Sequence, residues 1–138
     1  MSERVIVYQD KSFRTDFRAS DPNEEDNSEL QTVMHLHNLT PYGMLLASLG
    51  ACTAIVVNTY ARNQGIPLRG ISVDTSYERA FVDDCEDCDI ENEYEEVIRE
   101  QVDFEGDLDE PQLKRLHQVV KACSVRRLLE SGVRVVSD

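Results

Sequence analysis

The chain has 138 residues, 41% of them hydrophobic, and sets 27 acidic side chains against 14 basic ones for a net charge of −13. That length suits one domain, 1–138, with a core of its own, and the hydrophobic share argues against a disordered polypeptide. The acidity argues against nucleic acid or an anionic membrane surface as partner, because both demand a cationic face.

Residues 4–9 and 12–18 read as two short strands with a turn near Asp10 and Lys11, and 21–28 as a polar loop. Leu30 to His37 alternates apolar and polar residues, which predicts a strand. Thr40 to Gly65 predicts a long helix: a hydroxyl to cap it, Pro41 in its first turn, and Gly65 with Pro67 to end it. Leu45, Leu46, Leu49, Ile55, Val56 and Val57 leave it no polar face, the pattern of a helix buried all round. Its apolar run within 44–57 is interrupted by Gly, Ser and Asn, which predicts no membrane span. With no leader pattern at the N-terminus, a cytoplasmic protein is expected.

Residues 70–79 resume a strand pattern, and an acidic run at 83–96 forms the tip of a hairpin returning through 97–104. Asp109 to Cys123 predicts a second helix with Leu113, Leu116, Val119, Val120 and Cys123 along one side. Ser124 caps a short helix to Glu130, and Val133–Val136 reads as a closing strand. Strands and helices in this order predict an α+β fold.

Chemistry can sit on few side chains. Cysteines in an intracellular chain are reactive, metal-binding or inert rather than a disulfide framework. Cys52, on the apolar helix, is by composition a small core hydrophobe unless something stabilises its thiolate. Cys123 gains from the N-terminus of the helix that follows it. Cys85 and Cys88 form a Cys-x-x-Cys, but two ligands do not complete a tetrahedral zinc site and the surrounding carboxylates oppose thiolate formation. His35 and His37, two apart on the predicted strand, share a face and can serve as thiolate partner, as metal ligands or as solvated polar residues. Arg126 and Arg127 follow Cys123 within one helical turn, while Arg14 and Arg18 lie on the first hairpin; each is a solvated charge or a partner for the thiol. His117 is expected on the surface.

Three separated stretches, LTPYGMLLASLGACTAIVVNTYARNQGIPLRGISV, FEGDLDEPQLKRL and KACSVRRLLESGV, resemble the OsmC/Ohr family of thiol-dependent peroxide reductases. The resemblance covers roughly 30–138. It implies antiparallel sheets wrapped around two long central helices, and an intertwined homodimer with active sites at the subunit interface. It also implies a peroxidatic thiol at Cys52 and a resolving thiol at Cys123, a small hydroperoxide as substrate, and a role in oxidative stress. No bound cofactor or metal is implied; the reductant is an external dithiol or a lipoylated protein. The sequence departs from the family where a glutamate is usual near the helix start, at Pro41-Tyr42-Gly43, and where an arginine is usual near the thiol. His35, His37 and Arg126 are the candidates to replace it. The alternative reading is a relative without peroxidase activity that binds a small electrophile or hydrophobic ligand at the same interface pocket.

Overall fold

The computed structural model describes residues 2–21, 29–81 and 94–138. Strands β1 (Ser2–Asp10), β2 (Thr15–Ala19) and β3 (Gln31–Thr32) are followed by a 3-10 turn (Leu36–Asn38) and the long helix α1 (Pro41–Asn63). The hairpin of β4 (Leu68–Phe81) and β5 (Tyr94–Gly106) comes next, then α2 (Glu110–Val120) and α3 (Ser124–Ser131). The sheet runs β3-β2-β1-β4-β5, every neighbouring pair antiparallel. This is the expected α+β architecture.

Period-two alternation places Val5 and Val7 of β1 and Ile71, Val73 and Tyr77 of β4 on one buried face. Helix α1 lies across that face and comes close to β1 at Gly50. A Cβ there would stand 2.6 Å from Val7 Cγ2, so only glycine lets the backbone approach β1 this closely. Polar residues caught in this interface are paired. Asn58 Nδ2 donates to Gln9 Oε1 at 3.1 Å and to the Asp10 carbonyl at 2.8 Å. Thr40 caps α1 by accepting from the Gly43 N–H at 3.0 Å, while its hydroxyl donates to the buried carboxylate of Glu3.

Several expectations need correction. There is one long helix, not two: α1 has 23 residues and α2 only 11, because the helix expected to Cys123 stops at Val120 and gives way to a turn at Lys121 and Ala122. Helix α1 is not buried all round within the chain, since Ile55 is 48% exposed. By length and hydropathy alone α1 would be able to cross a membrane, contrary to the sequence reading, but half of its apolar window is buried in the fold. The strand expected over 30–37 shrinks to two residues. Asn38 turns its side chain back to the His35 N–H at 3.1 Å and its own N–H to the His35 carbonyl at 3.0 Å, closing a turn in place of a ladder. Residues 133–136 are not a strand. Gly132 (φ 79°) turns the chain outward, and Val133, Val135 and Val136 are exposed. Cys85, Cys88 and the hairpin tip lie outside the described residues.

Candidate active site

Cys52 sits near the middle of α1, half-buried, where the helix meets the start of α3. Cys123 is the N-cap of α3 and is fully buried, its sulfur accepting the Arg126 N–H at 3.5 Å. The structure thus brings together the two cysteines named from sequence, 71 positions apart in the chain, near enough for each to act on the other's ionisation. Ser124 adds its hydroxyl, 3.7 Å from Cys52 Sγ.

The two thiols are driven apart in acidity. Burial disfavours the Cys52 thiolate, but hydrogen bonds outweigh it: from Cys123, from the Val125 N–H, and from the hydroxyl and N–H of Ser124. The Cys52 thiol is held below its ordinary value. These backbone donors are unpaired N–H groups of the first turn of α3, which favour an anion. Cys123 goes the other way. Burial raises it, and its hydrogen bond to Cys52 raises it further, against the opposing donors Arg126 N–H and Thr53 hydroxyl. The arrangement favours a thiolate at Cys52 over one at Cys123.

A cavity of about 450 Å³ opens between α1, β4, β5 and α3; neither cysteine lines it, but Leu49 and Arg126, three residues from Cys52 and Cys123, do. Tyr42, Leu45 and Leu49 of α1, Tyr77 of β4 and Ile98 of β5 supply apolar wall, with Tyr42 and Tyr77 stacked at 4.6 Å between ring centroids. Glu96, Glu100, Arg126 and Glu130 supply charge. Arg126, named from sequence, thus reaches the site. It donates to Glu130 at 2.8 Å, and its charge also acts on Glu100 and Cys123. Glu100 is held above the usual carboxylate range by burial, against a hydrogen bond from Thr53 and the charge of Arg126.

The histidines do not join this cluster within the chain. His35 and His37 stack on each other at 5.3 Å on the exposed 3-10 turn, and His37 walls a separate cavity of about 550 Å³ with Ala19, Thr32 and Asn38. Neither is among the groups acting on Cys52. Arg14 and Arg18 are exposed on and beside β2. His117 is exposed as expected, edge-on to Phe104 at 4.8 Å. Among the described residues no group of three or more His, Cys, Asp or Glu is placed to hold a metal.

Sequence reasoning missed Thr53 and Glu100. Glu100 did leave a signal: it shares a strand face with Ile98, Val102 and Phe104, a carboxylate interrupting an apolar stripe.

Residues 34–138 match the family described as OsmC-like protein. The chain belongs to that family. Across the whole fold it is similar to the crystal structure of an OsmC-like hydroperoxide resistance protein from Jannaschia sp. CCS1. The TM-score is 0.62 at 11% sequence identity, covering 97% of this chain and 90% of that one. No curated protein matches the sequence.

Proposed function

We propose that this OsmC-like protein reduces organic hydroperoxides with Cys52 as nucleophile and Cys123 as resolving thiol. The observation that carries the reading is the meeting of Cys52 with the start of α3, where Cys123 is the N-cap and Ser124 Oγ lies 3.7 Å from Cys52 Sγ; the two thiols are shifted in opposite directions there. The printed role of the similar Jannaschia protein, hydroperoxide resistance, supports the same chemistry.

The Cys52 thiolate attacks the outer oxygen of the hydroperoxide; the O–O bond breaks, the alkoxide takes a proton and leaves as the alcohol, and Cys52 becomes a sulfenic acid. The Cys123 sulfur then attacks the Cys52 sulfur. Its proton leaves with the sulfenic hydroxyl as water, and a disulfide forms. An external dithiol, free or on a lipoylated protein, returns two electrons and restores both thiols. The protein needs no bound cofactor for any of these steps. Arg126, paired with Glu130, has its charge acting on Glu100 and Cys123, but it is not among the groups acting on Cys52. The histidines act only if a second copy delivers them.

That second copy belongs to the reading. Ile55 on α1, one turn from Cys52, and Leu128 on α3, each 48% exposed, and the valines of the tail leave apolar surface uncovered. A homodimer that covers it would also close the cavity against water.

Turnover tests the proposal. Reduced protein mixed with cumene hydroperoxide and dithiothreitol should consume peroxide, and Cys52→Ser should not. Consumption by the wild type no faster than by Cys52→Ser would leave the cavity as a binding site for a small hydrophobic ligand and defeat the enzyme reading.

A further inference from the structure

A second cavity, of about 560 Å³, lies between the C-terminal part of α1, the turn joining β1 to β2, and the start of β4. Its α1 residues stand six to ten positions past Cys52, about 9–15 Å along the helix axis, so it is separate from the thiols. Lys11, Ser12, Asn58 and Arg62 supply its polar wall, and Ile66 and Leu68 much of the apolar one. None of its lining residues is acidic, in a chain that sets 27 acidic side chains against 14 basic ones. Among the described residues neither Lys11 nor Arg62 is in an ion pair. Arg62 Cζ stands 5.9 Å over the ring of Phe13, whose φ of 68° turns it to that place, and an aromatic face attracts the charge. The neighbouring Asp10 carboxylate is engaged in its own turn, accepting from the N–H and hydroxyl of Ser12 and from the Arg14 N–H.

Asn58 is the second observation. It is 3% exposed, and chemistry fixes which way its amide faces. The Asp10 carbonyl can only accept, so Nδ2 must point to it, and the same nitrogen donates to Gln9 Oε1. Gln9 cannot reverse that pairing, because its own Nε2 donates to Thr15. Asn58 Oδ1 is left to the other side of the amide, where it accepts from no donor among the described residues. A buried acceptor without a partner is costly, and this one belongs to a residue that walls the cavity.

We propose that this cavity binds a small organic carboxylate that also carries a hydroxyl or N–H group. Lys11 and Arg62 take the carboxylate, Asn58 Oδ1 accepts from the donor, and Ile66 and Leu68 cover the carbon skeleton. A guanidinium matches the two oxygens of a carboxylate, and an ammonium adds charge without demanding geometry. The site does not depend on the thiol chemistry and stands or falls apart from it.

The probe is 2-hydroxyisocaproate, which has all three parts. Titrated into the 15N-labelled full chain at millimolar concentration, it should give saturable shifts at the amides of Lys11, Ser12, Arg62 and Ile66. The analogue 4-methylpentanoate, without the hydroxyl, should bind about fivefold more weakly, the worth of one ordinary hydrogen bond. Lys11→Gln and Arg62→Gln remove exposed charges and leave the core untouched; each should weaken binding about threefold. Asn58→Ala should bind the two acids alike, and the pair of probes decides the point should that variant not fold. No saturable shift at these amides, equal binding of the two acids by the wild type, or unchanged affinity in both charge variants overturns the inference. So does inorganic phosphate binding as tightly as the hydroxy acid, since a bare anion site needs neither the Asn58 acceptor nor the apolar wall.

Discussion

Replacing Gly50 with alanine tests how the fold holds Cys52 in place. The added Cβ would lie 2.6 Å from Val7 Cγ2 and 3.1 Å from Val7 Cβ, with Thr75 Cγ2 at 3.6 Å. Val7 cannot give way easily: it is completely buried in the middle of β1, registered against Val73, and its branched side chain is stiff at χ1. Overpacking of this kind costs about 1–3 kcal/mol. Alanine returns about 1 kcal/mol in helix propensity. A contact this short belongs in the upper half of the overpacking range, so the net destabilisation should be about 1–2 kcal/mol, or roughly 4 °C in Tm for each kcal/mol in a chain of this size. Thermal unfolding followed by circular dichroism measures it. In a Val7→Ala background the 2.6 Å contact is gone and of Val7 only the Cβ at 3.1 Å remains, so Gly50→Ala should cost clearly less than in the wild type. Cys52 lies two residues beyond Gly50, so the displaced helix should also slow peroxide reduction more than the stability loss alone explains. A Tm that rises on Gly50→Ala alone would refute the close α1–β1 approach on which the site is built.

Asn58→Ala should cost about 1–3 kcal/mol, since it leaves Gln9 Oε1 without its Asn58 donor in the core, while the Asp10 carbonyl keeps the Phe13 N–H; urea unfolding reads this. Ser124→Ala removes one of several donors to Cys52 and should slow its alkylation by iodoacetamide about threefold near neutral pH, with the difference vanishing in alkaline solution where the thiol is ionised in both proteins. A depressed thiol is an acid favoured in its charged form by the fold. Cys52 should therefore contribute stability above the unfolded thiol value and lose it as pH falls through the lower folded value. Wild type and Cys52→Ser should accordingly converge in Tm on acidification. Because Glu96, Glu100 and Glu130 line the cavity and Arg126 is already paired, a neutral hydroperoxide such as that of cumene should be reduced faster than a fatty-acid hydroperoxide. Added salt should narrow the gap.

Much of this arrangement was legible in the residues. Thr40, Pro41 and Gly65 bracket α1 because capping and chain reversal are local, and the alternation of Val5, Val7, Ile71 and Val73 marks the sheet face because its period is local too. The closeness of Cys52 and Cys123 came from family resemblance, not from spacing; 71 residues of separation carry no distance. Other features were hidden for physical reasons. His35 and His37 share a face in the sequence pattern only if 30–37 stays extended, and the Asn38 side chain breaks that by offering the backbone a turn. Val133–Val136 has strand composition, yet strand composition needs an edge to pair with, and none of the described strands of this chain receives it. Thr53 and Glu100 meet only when α1 crosses β5, a tertiary event no local pattern reports.

The central claim is that Cys52 and Cys123 form one redox pair, and peptide mapping of the oxidised protein tests it most directly. Reduced protein, given one equivalent of cumene hydroperoxide per chain and digested without reductant, should yield a Cys52–Cys123 disulfide as the main cross-linked product. Cys123→Ser should instead leave a sulfenic acid on Cys52 that dimedone traps. Recovery of both residues as free thiols after the peroxide has been consumed, or a disulfide confined to Cys85 and Cys88, would contradict the account.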